Sequence, residues 1–317
     1  MRLQTLMLPL LALAMLLVPA TGQANPAASK VFLNGVPTPV FFNDGDSFRV
    51  LAGPLYGTNA RLAGFNTLES YGPTHEWGGW HQKELYVISK MATLNARRGV
   101  WHCTSDLRKD TYGRILWDCP DLARNQIRKG LAHALSINQD PANAEYLQIQ
   151  REAMSNKVGM WAKGTPDFVV TSLHSAAEAQ EGNKPHYNRV VSTKDGHSLR
   201  WEHRDVYNEC DKVCVMEYTV KPDQVSTVAA ALKQDATAGA VVKSLSDEQL
   251  NAVVTLFARY DKVDGLPDYD AFLKVQTFLR AQRASGAISS DKVGEVTCMT
   301  YIDFTRRFGG AKAACLK

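Results

Sequence analysis

The sequence lacks most of the signals that assign a protein at a glance. It has no internal repeat and no low-complexity tract, so neither a repeat array nor a disordered tether is its main design. Its eight histidines form no His-Glu-x-x-His pair, and no Gly-x-Ser-x-Gly occurs. A zinc peptidase and a serine-hydrolase elbow therefore both lack their residues, and the histidines read as packing or surface groups. Neither sign of charge dominates. A formal net charge of +4 does not announce a nucleic-acid binder, though it leaves room for a locally basic cleft. Long apolar runs are absent beyond Val18, so only the N-terminus raises a membrane question. Asp261-Lys262-Val263-Asp264-Gly265 fails as a calcium loop, because Val263 breaks the ligand pattern and no closing glutamate follows.

What is present points to an exported globular chain. The 317 residues suffice for one large domain or two ordinary ones, and 45% hydrophobic content with 21% charge lets such a chain bury a core. Arg2, the apolar run Leu6 to Val18 and the small residues of Gly22-Gln23-Ala24 read as an export signal cleaved after Ala24. The run is shorter than the roughly 20 residues that a membrane span needs, which argues against the rival reading of an anchor. A periplasmic or secreted protein without a stable membrane anchor is the expectation, monomeric by default.

All six cysteines, Cys103, Cys119, Cys210, Cys214, Cys298 and Cys315, follow that segment, and an even count in an exported chain favours disulfides. Cys103 and Cys119 end two strand-like runs and suit a cross-strand bridge. Cys210 and Cys214 read as one turn apart on a helix, where side-chain geometry disfavours a bond between them. Each is therefore expected to reach Cys298 or Cys315. A zinc site made by these four is the rival, but their spacing is not that of a ribbon or finger.

Along the chain, Val40–Phe42, Ser47–Leu51 and Ala60–Phe65 read as strands of a meander curling into a small barrel. A loop rich in Gly, Trp and His follows, 70–81. Helices are expected over 82–98, 121–133 and from Asp140-Pro141 to about Trp161. Residues 167–188 read as a linker and 189–203 as a hairpin around Asp195-Gly196, a favoured turn dipeptide. The remainder reads as mainly helical, with helices over 224–232, 246–260, 269–284 and 300–314.

Chemistry-bearing residues cluster in the first half. Asp44 and Asp46 flank Gly45 in a tight turn, and their i, i+2 spacing puts both carboxylates on one side of an extended segment. Two such carboxylates repel unless a cation lies between them. Arg61 opens a strand that ends in Asn66-Thr67, with Glu69 just beyond. Tyr112-Gly113-Arg114 provides a turn that can aim a second guanidinium back at the same place. Each element alone has an ordinary reading as a turn or a surface ion pair. Together they are the parts of metal-assisted phosphodiester hydrolysis.

Their order and spacing resemble the staphylococcal nuclease (thermonuclease) family. The resemblance runs from about Lys30 to Pro166 and includes Lys129-Gly130-Leu131-Ala132 and Gly159-Met160-Trp161-Ala162. It implies an α+β fold: a five-stranded OB-fold barrel with three helices over 25–166. A disulfide-stapled, mainly helical domain of unknown role over 189–317 would follow. It also implies Ca2+ as cofactor, DNA or RNA as substrate, and particular roles. Asp46, Asn66 and the Thr67 carbonyl would hold the metal, with Asp44 in support. Glu69 would handle a water, and Arg61 and Arg114 would grip the phosphate.

Two departures stand out. Asn66 occupies a position where the family usually has a second aspartate, so weaker or altered metal binding is expected. Ser136 and Asn138 lie where the family has its stacking tyrosines. Base contacts are instead expected from Tyr112, or from Trp77 and Trp80 in the 70–81 loop as a lid or stacking platform. The leading reading is a Ca2+-dependent nuclease of low sequence specificity. Its rivals are an OB module that binds nucleic acid without cleaving it, and an envelope protein in which the barrel is only scaffold.

Overall fold

Short runs of alternating apolar and polar residues build the first half of the chain. A computed structural model describes residues 30–138, 140–178, 186–203, 205–302 and 313–316. The expected signal peptide, 1–24, lies outside the described residues. β1 (Lys30–Leu33) buries Val31 and Leu33, then turns through Asn34-Gly35 into antiparallel β2 (Val36–Thr38). Asn34 and Gly35 have φ of 47° and 81°, the successive positive values of a turn that matches hairpin twist. β3 (Val40–Phe42), β4 (Ser47–Val50) and β5 (Asn59–Leu62) form an antiparallel meander. β6 (Phe65–Thr67) and β7 (Thr74–Trp77) follow, then α1 (Gln82–Ala96), closed at its start by a capping box between His81 and Glu84. β8 (Val100–Cys103) lies parallel to β1, and β9 (Ile115–Trp117) parallel to β5. α2 (Pro120–Arg128), β10 (Ala132–Ala134), antiparallel to β6, and α3 (Ala144–Ser155) complete this half. The Cys103–Cys119 disulfide ties the end of β8 to the start of α2.

The class is α+β. Three sheets, β2-β1-β8, β3-β4-β5-β9 and β10-β6, share one core that includes Val31, Phe42, Phe48, Leu62, Phe65 and Trp117. The expected barrel is not seen as a closed ring; no sheet closes on itself among the described residues. Strands of three or four residues offer few ladder positions with which to bond two neighbours around a full circle. Side-chain packing joins the sheets instead.

Two glycines of the family-like motifs meet backbone to backbone. Met160 N–H donates to Gly130 O at 2.9 Å, and a Cβ added at Gly159 would lie 2.4 Å from that same oxygen. Gly159 also has φ of 58°, where other residues are strained. This contact seats a short 3-10 turn, Gly159–Trp161, against the end of α2 and buries Met160 and Trp161.

The second half is mixed, not mainly helical. β11 (Phe168–Ser172), inside the expected linker, buries Phe168, Val169 and Val170 and pairs with β12 (His186–Ser192), which pairs with β13 (Ser198–His203). The expected hairpin around Asp195-Gly196 is therefore present. β14 (Lys212–Val220) is followed by α4 (Pro222–Gln234), α5 (Ala238–Val241), α6 (Asp247–Tyr260) and α7 (Tyr269–Ala284), which pack a core of their own around Phe257, Phe272 and Leu279. β15 (Ser290–Thr300) then pairs with both β14 and β7. The loop expected over 70–81 thus contributes a strand to the second half's sheet.

Cys210 and Cys214 are not on a helix. Val213 and Val215 flank Cys214 in an alternating, β-branched run that favours a strand, and Cys214 bonds to Cys298 directly across the ladder. Cys210 precedes the strand and bonds to Cys315, and among the described residues no cysteine is left unpaired. Each therefore reaches one of the two distal partners as expected, with no zinc site formed. Most of the helix expected over 300–314 lies outside the described residues; Thr300 ends β15.

Glu178 links the halves of the second sheet region. Its carboxylate accepts from Ser175 N–H (3.1 Å) and Tyr301 O–H (2.7 Å) and pairs with His174 (3.2 Å). Burial alone would push this carboxyl up, but those donors outweigh it and hold it at about 2.

Two outcomes are expected. Gly159→Ala should cost about 3 kcal/mol in chemical unfolding, whereas Gly113→Ala, whose Cβ meets nothing within 4 Å, should cost about 1 kcal/mol for its positive φ alone. Equal losses would show that the Gly130–Gly159 approach is not what matters. For Glu178 the folded pKa lies below the unfolded one, so its contribution is present above about 4.5 and fades as pH falls toward 2. The stability gap between the wild type and Glu178→Gln should therefore shrink from pH 5 to pH 2; a constant gap would refute the assignment.

Candidate functional site

The turn before β4 brings the first carboxylates inward. Gly45 presses against the base of the site: a Cβ there would lie 2.5 Å from the Thr67 methyl and 2.8 Å from Ala92 of α1. Only glycine allows the turn this close, and the closeness sets Asp46 beside β6. Asp46 is 2% exposed. Its Oδ2 accepts from Thr67 N–H at 2.7 Å and its Oδ1 accepts from Arg61 Nη1 at 2.5 Å. Arg61 reaches it because β5 places Arg61 directly opposite Ser47 of β4. The other arm of the guanidinium donates to Asn66 Oδ1, and Asn66 Nδ2 donates to Thr67 O at 2.7 Å.

Asp44 is held by Ser47 O–H (2.6 Å) and Asp46 N–H (3.2 Å). Burial, and then the negative Asp46, push its carboxyl up to about 7. For Arg61, burial pulls the guanidinium down, but the carboxylates of Asp46, Asp44, Glu69 and Asp110 outweigh it and raise its pKa. His133 sits opposite Asn66 across the β10–β6 ladder. Burial, with the nearby Arg61 charge, lowers its pKa to about 4, so it is neutral at pH 7.

Glu69 is half-buried and within the field of Arg61. Its backbone N–H donates to His75 Nε2 at 3.0 Å. His75 lies in β7, so the segment that carries Glu69 is fastened to the sheet of the second half. Arg114 is placed by a turn built on Asp110. Asp110 Oδ1 accepts the N–H groups of Tyr112 and Arg114 (both 2.9 Å), and Oδ2 takes the Arg114 guanidinium at 2.7 Å. Tyr112 is 65% exposed, with the Arg114 Cζ 5.3 Å from its ring centre. A hydrogen bond with Tyr187, together with burial, pushes its hydroxyl up to about 12. Sequence reasoning does not single out His75 or Asp110. An aspartate opening a tight turn is a recognisable signature for Asp110; nothing local marks His75.

The structure does not support the two tryptophans as a stacking platform. Trp77 is 2% exposed, packs on Trp161 and donates to Gly164 O at 3.2 Å. Trp80 donates to Met160 O at 2.8 Å and lies beneath the Lys163 ammonium. Both rings anchor the 3-10 turn, because an amphipathic ring next to a buried apolar cluster gains more from packing than from exposure. Ser136 and Asn138 are bonded to the β12–β13 hairpin through their backbones: Ser136 N–H donates to Gly196 O (2.7 Å) and Ser198 N–H to Asn138 O (2.9 Å).

Among the described residues, no group of three or more His, Cys, Asp and Glu side chains is placed to hold a metal. The donors linked here by Arg61 and the Asn66 amide are all oxygens: the Asp46 carboxylate, Asn66 Oδ1 and Thr67 O. Oxygen donors suit Ca2+, and a single full charge implies low affinity. In the structure Arg61 and the Asn66 amide already occupy these oxygens, so a cation must compete with an internal one. Compared with models of known protein families and with curated proteins, the chain matches none.

Removing the shared acceptor should be costly. Asp46→Ala leaves the buried Arg61 and Thr67 N–H without it and should destabilise the fold by about 3 kcal/mol in urea unfolding. A loss below about 1 kcal/mol, the scale of a surface pair, would show that Arg61 finds an equivalent partner.

Proposed function

We propose that this chain is an exported, Ca2+-dependent nuclease of the staphylococcal nuclease kind, built on an OB-type core. It would hydrolyse phosphodiester bonds of DNA, RNA or both with little sequence preference. One observation supports this most. Arg61 bonds to Asp46 and Asn66 and lies within electrostatic reach of Asp44, Glu69 and Asp110, and Arg114 rests on that same Asp110. Ionisable groups gathered with shifted pKa values concentrate at functional sites. Export is supported by the three disulfides and by the apolar N-terminal run.

Asp46, Asn66 and Thr67 would hold the cation, which supplies positive charge at the phosphate and acidifies a water. Glu69 accepts the proton of the attacking water. Both arginines rest on carboxylates, Arg61 on Asp46 and Arg114 on Asp110. Each must turn from its carboxylate to the phosphate, where a planar fork can bond two oxygens as charge develops. A cation at Asp46 would share the carboxylate that Arg61 holds. Metal and substrate should therefore reinforce each other's binding.

A second reading, a module that binds nucleic acid without turnover, draws on the same Arg61 and Asn66 contacts. They neutralise the donor set from within. Digestion of plasmid DNA and single-stranded RNA across a Ca2+ titration separates the two. The nuclease reading expects Ca2+-dependent cleavage that Glu69→Gln lowers by about 10²–10⁴-fold. It also expects Asn66→Asp to lower the Ca2+ requirement by about tenfold through added ligand charge. Binding without cleavage at any level of Ca2+, Mg2+ or Mn2+ would favour the second reading. Cleavage indifferent to Glu69→Gln would remove the mechanism.

A further inference from the structure

The second half of the chain brings a tyrosine and two arginines to the rim of the site. The β12–β13 hairpin is fixed there by backbone contacts. Ser136 N–H donates to Gly196 O (2.7 Å), Ala142 N–H to Asp195 O (2.8 Å) and Ser198 N–H to Asn138 O (2.9 Å). A Cβ at Gly196 would lie 2.5 Å from the Ala142 methyl, so the turn sits flush on the first half. Arg189 of β12 adds a bond from Nη1 to Ile137 O at 2.8 Å. This docking ties the hairpin to the backbone of Ser136 and Asn138 and brings an aromatic ring with it.

That ring is Tyr187 of β12. Its hydroxyl lies 3.4 Å from that of Tyr112. The Arg200 guanidinium, on β13, stands 5.1 Å from its ring centre and that of Arg189 5.7 Å. Arg200 has a 45% exposed side chain and only a long contact, 3.6 Å, with Asp264. His174 meets the ring edge at 6.0 Å. A continuous row results: Arg114, Tyr112, Tyr187, then Arg200 and Arg189. Two neighbouring aromatic rings are flanked by cations at both ends, starting from the arginine assigned to the phosphate.

Rings flanked by cations suit single-stranded nucleic acid. Bases stack on aromatic rings, phosphates follow the cations, and no base edge is read. A duplex keeps its base faces stacked on one another and cannot use the rings. We infer that Tyr187, with Arg200 and Arg189, forms an accessory nucleotide subsite that engages an unpaired nucleotide flanking the phosphodiester at Arg61 and Arg114. This rests on the nuclease reading for its scissile phosphate. The second half of the chain is then part of the substrate surface and makes the protein prefer unpaired stretches.

The test uses the full oxidised chain and three substrates. They are an oligothymidylate of about ten nucleotides, within the site sizes of single-strand binders, the matching duplex, and bis(p-nitrophenyl) phosphate, which has no base. Tyr187→Ala should raise KM for the oligonucleotide about tenfold, the effect of losing one stacked base. Its kcat, its action on the small diester and its use of the duplex should stay near wild type. Tyr187→Phe keeps the ring and should keep KM. Arg200→Ala should weaken oligonucleotide use less and reduce its salt dependence by about one counterion. An unchanged KM in Tyr187→Ala, or an equal loss on the oligonucleotide and the small diester, overturns the subsite. If the wild type cleaves nothing, the nuclease reading fails, and fluorescence anisotropy of the same oligonucleotide decides the subsite alone. Binding weakened about tenfold by Tyr187→Ala upholds it; no wild-type binding, or equal binding, overturns it.

Discussion

The Asp46 carboxylate is the interaction on which the arrangement depends. It accepts from Arg61 of β5 and from the Thr67 backbone of β6, so one buried group joins three segments of the first half. A buried carboxylate is tolerated only when its acceptors are filled, and here a guanidinium and a backbone N–H fill them. The turn at Gly45 exists to bring it there. The charge balance of the whole site follows from this pair. Burial, and then the charge of Asp46, raise the pKa of Asp44 next to it, and Asn66 fits beside them without adding another negative charge.

The site is also supported from the second half of the chain. β7 takes part in the β14-β15-β7 sheet, and His75 within it fixes the backbone of Glu69. The Cys214–Cys298 disulfide spans that sheet one strand away, with Cys298 opposite Glu76. The hairpin of β12 and β13 seats on the loop after β10 and brings Tyr187 to Tyr112. The second half therefore contacts the candidate site in two places, at the Glu69 backbone and at Tyr112.

Much of the secondary structure could be read from local pattern. α1, α6 and α7 fall close to where periodicity and capping residues place them, and Asp195-Gly196 marks its hairpin. The errors have physical causes. Cysteines four apart suggested a helical turn at Cys210 and Cys214, while the Val-Cys-Val alternation that forms β14 carried the true period. β7 and β11 are short strands whose partners, β15 and β12, lie far along the chain or across a long excursion, so no nearby residue announces them. Trp77 and Trp80 looked like a lid because they sit among glycines. Their packing depends on Trp161 and Met160, 84 and 80 positions away.

The sequence by itself determined the inventory and its order. Asp44, Asp46, Arg61, Asn66, Thr67, Glu69 and Arg114 were legible as candidates through their order and spacing, which resemble a known pattern, while turn chemistry alone gave each an ordinary reading. Only the tertiary structure decided how they are engaged: that Arg61 spans Asp46 and Asn66, that Arg114 rests on Asp110, and that His75 holds Glu69. It alone decided that a tyrosine of the second half stands beside Tyr112. Pairing of this kind is set by strand register and by the packing of distant segments, and neither leaves a local trace in the order of residues.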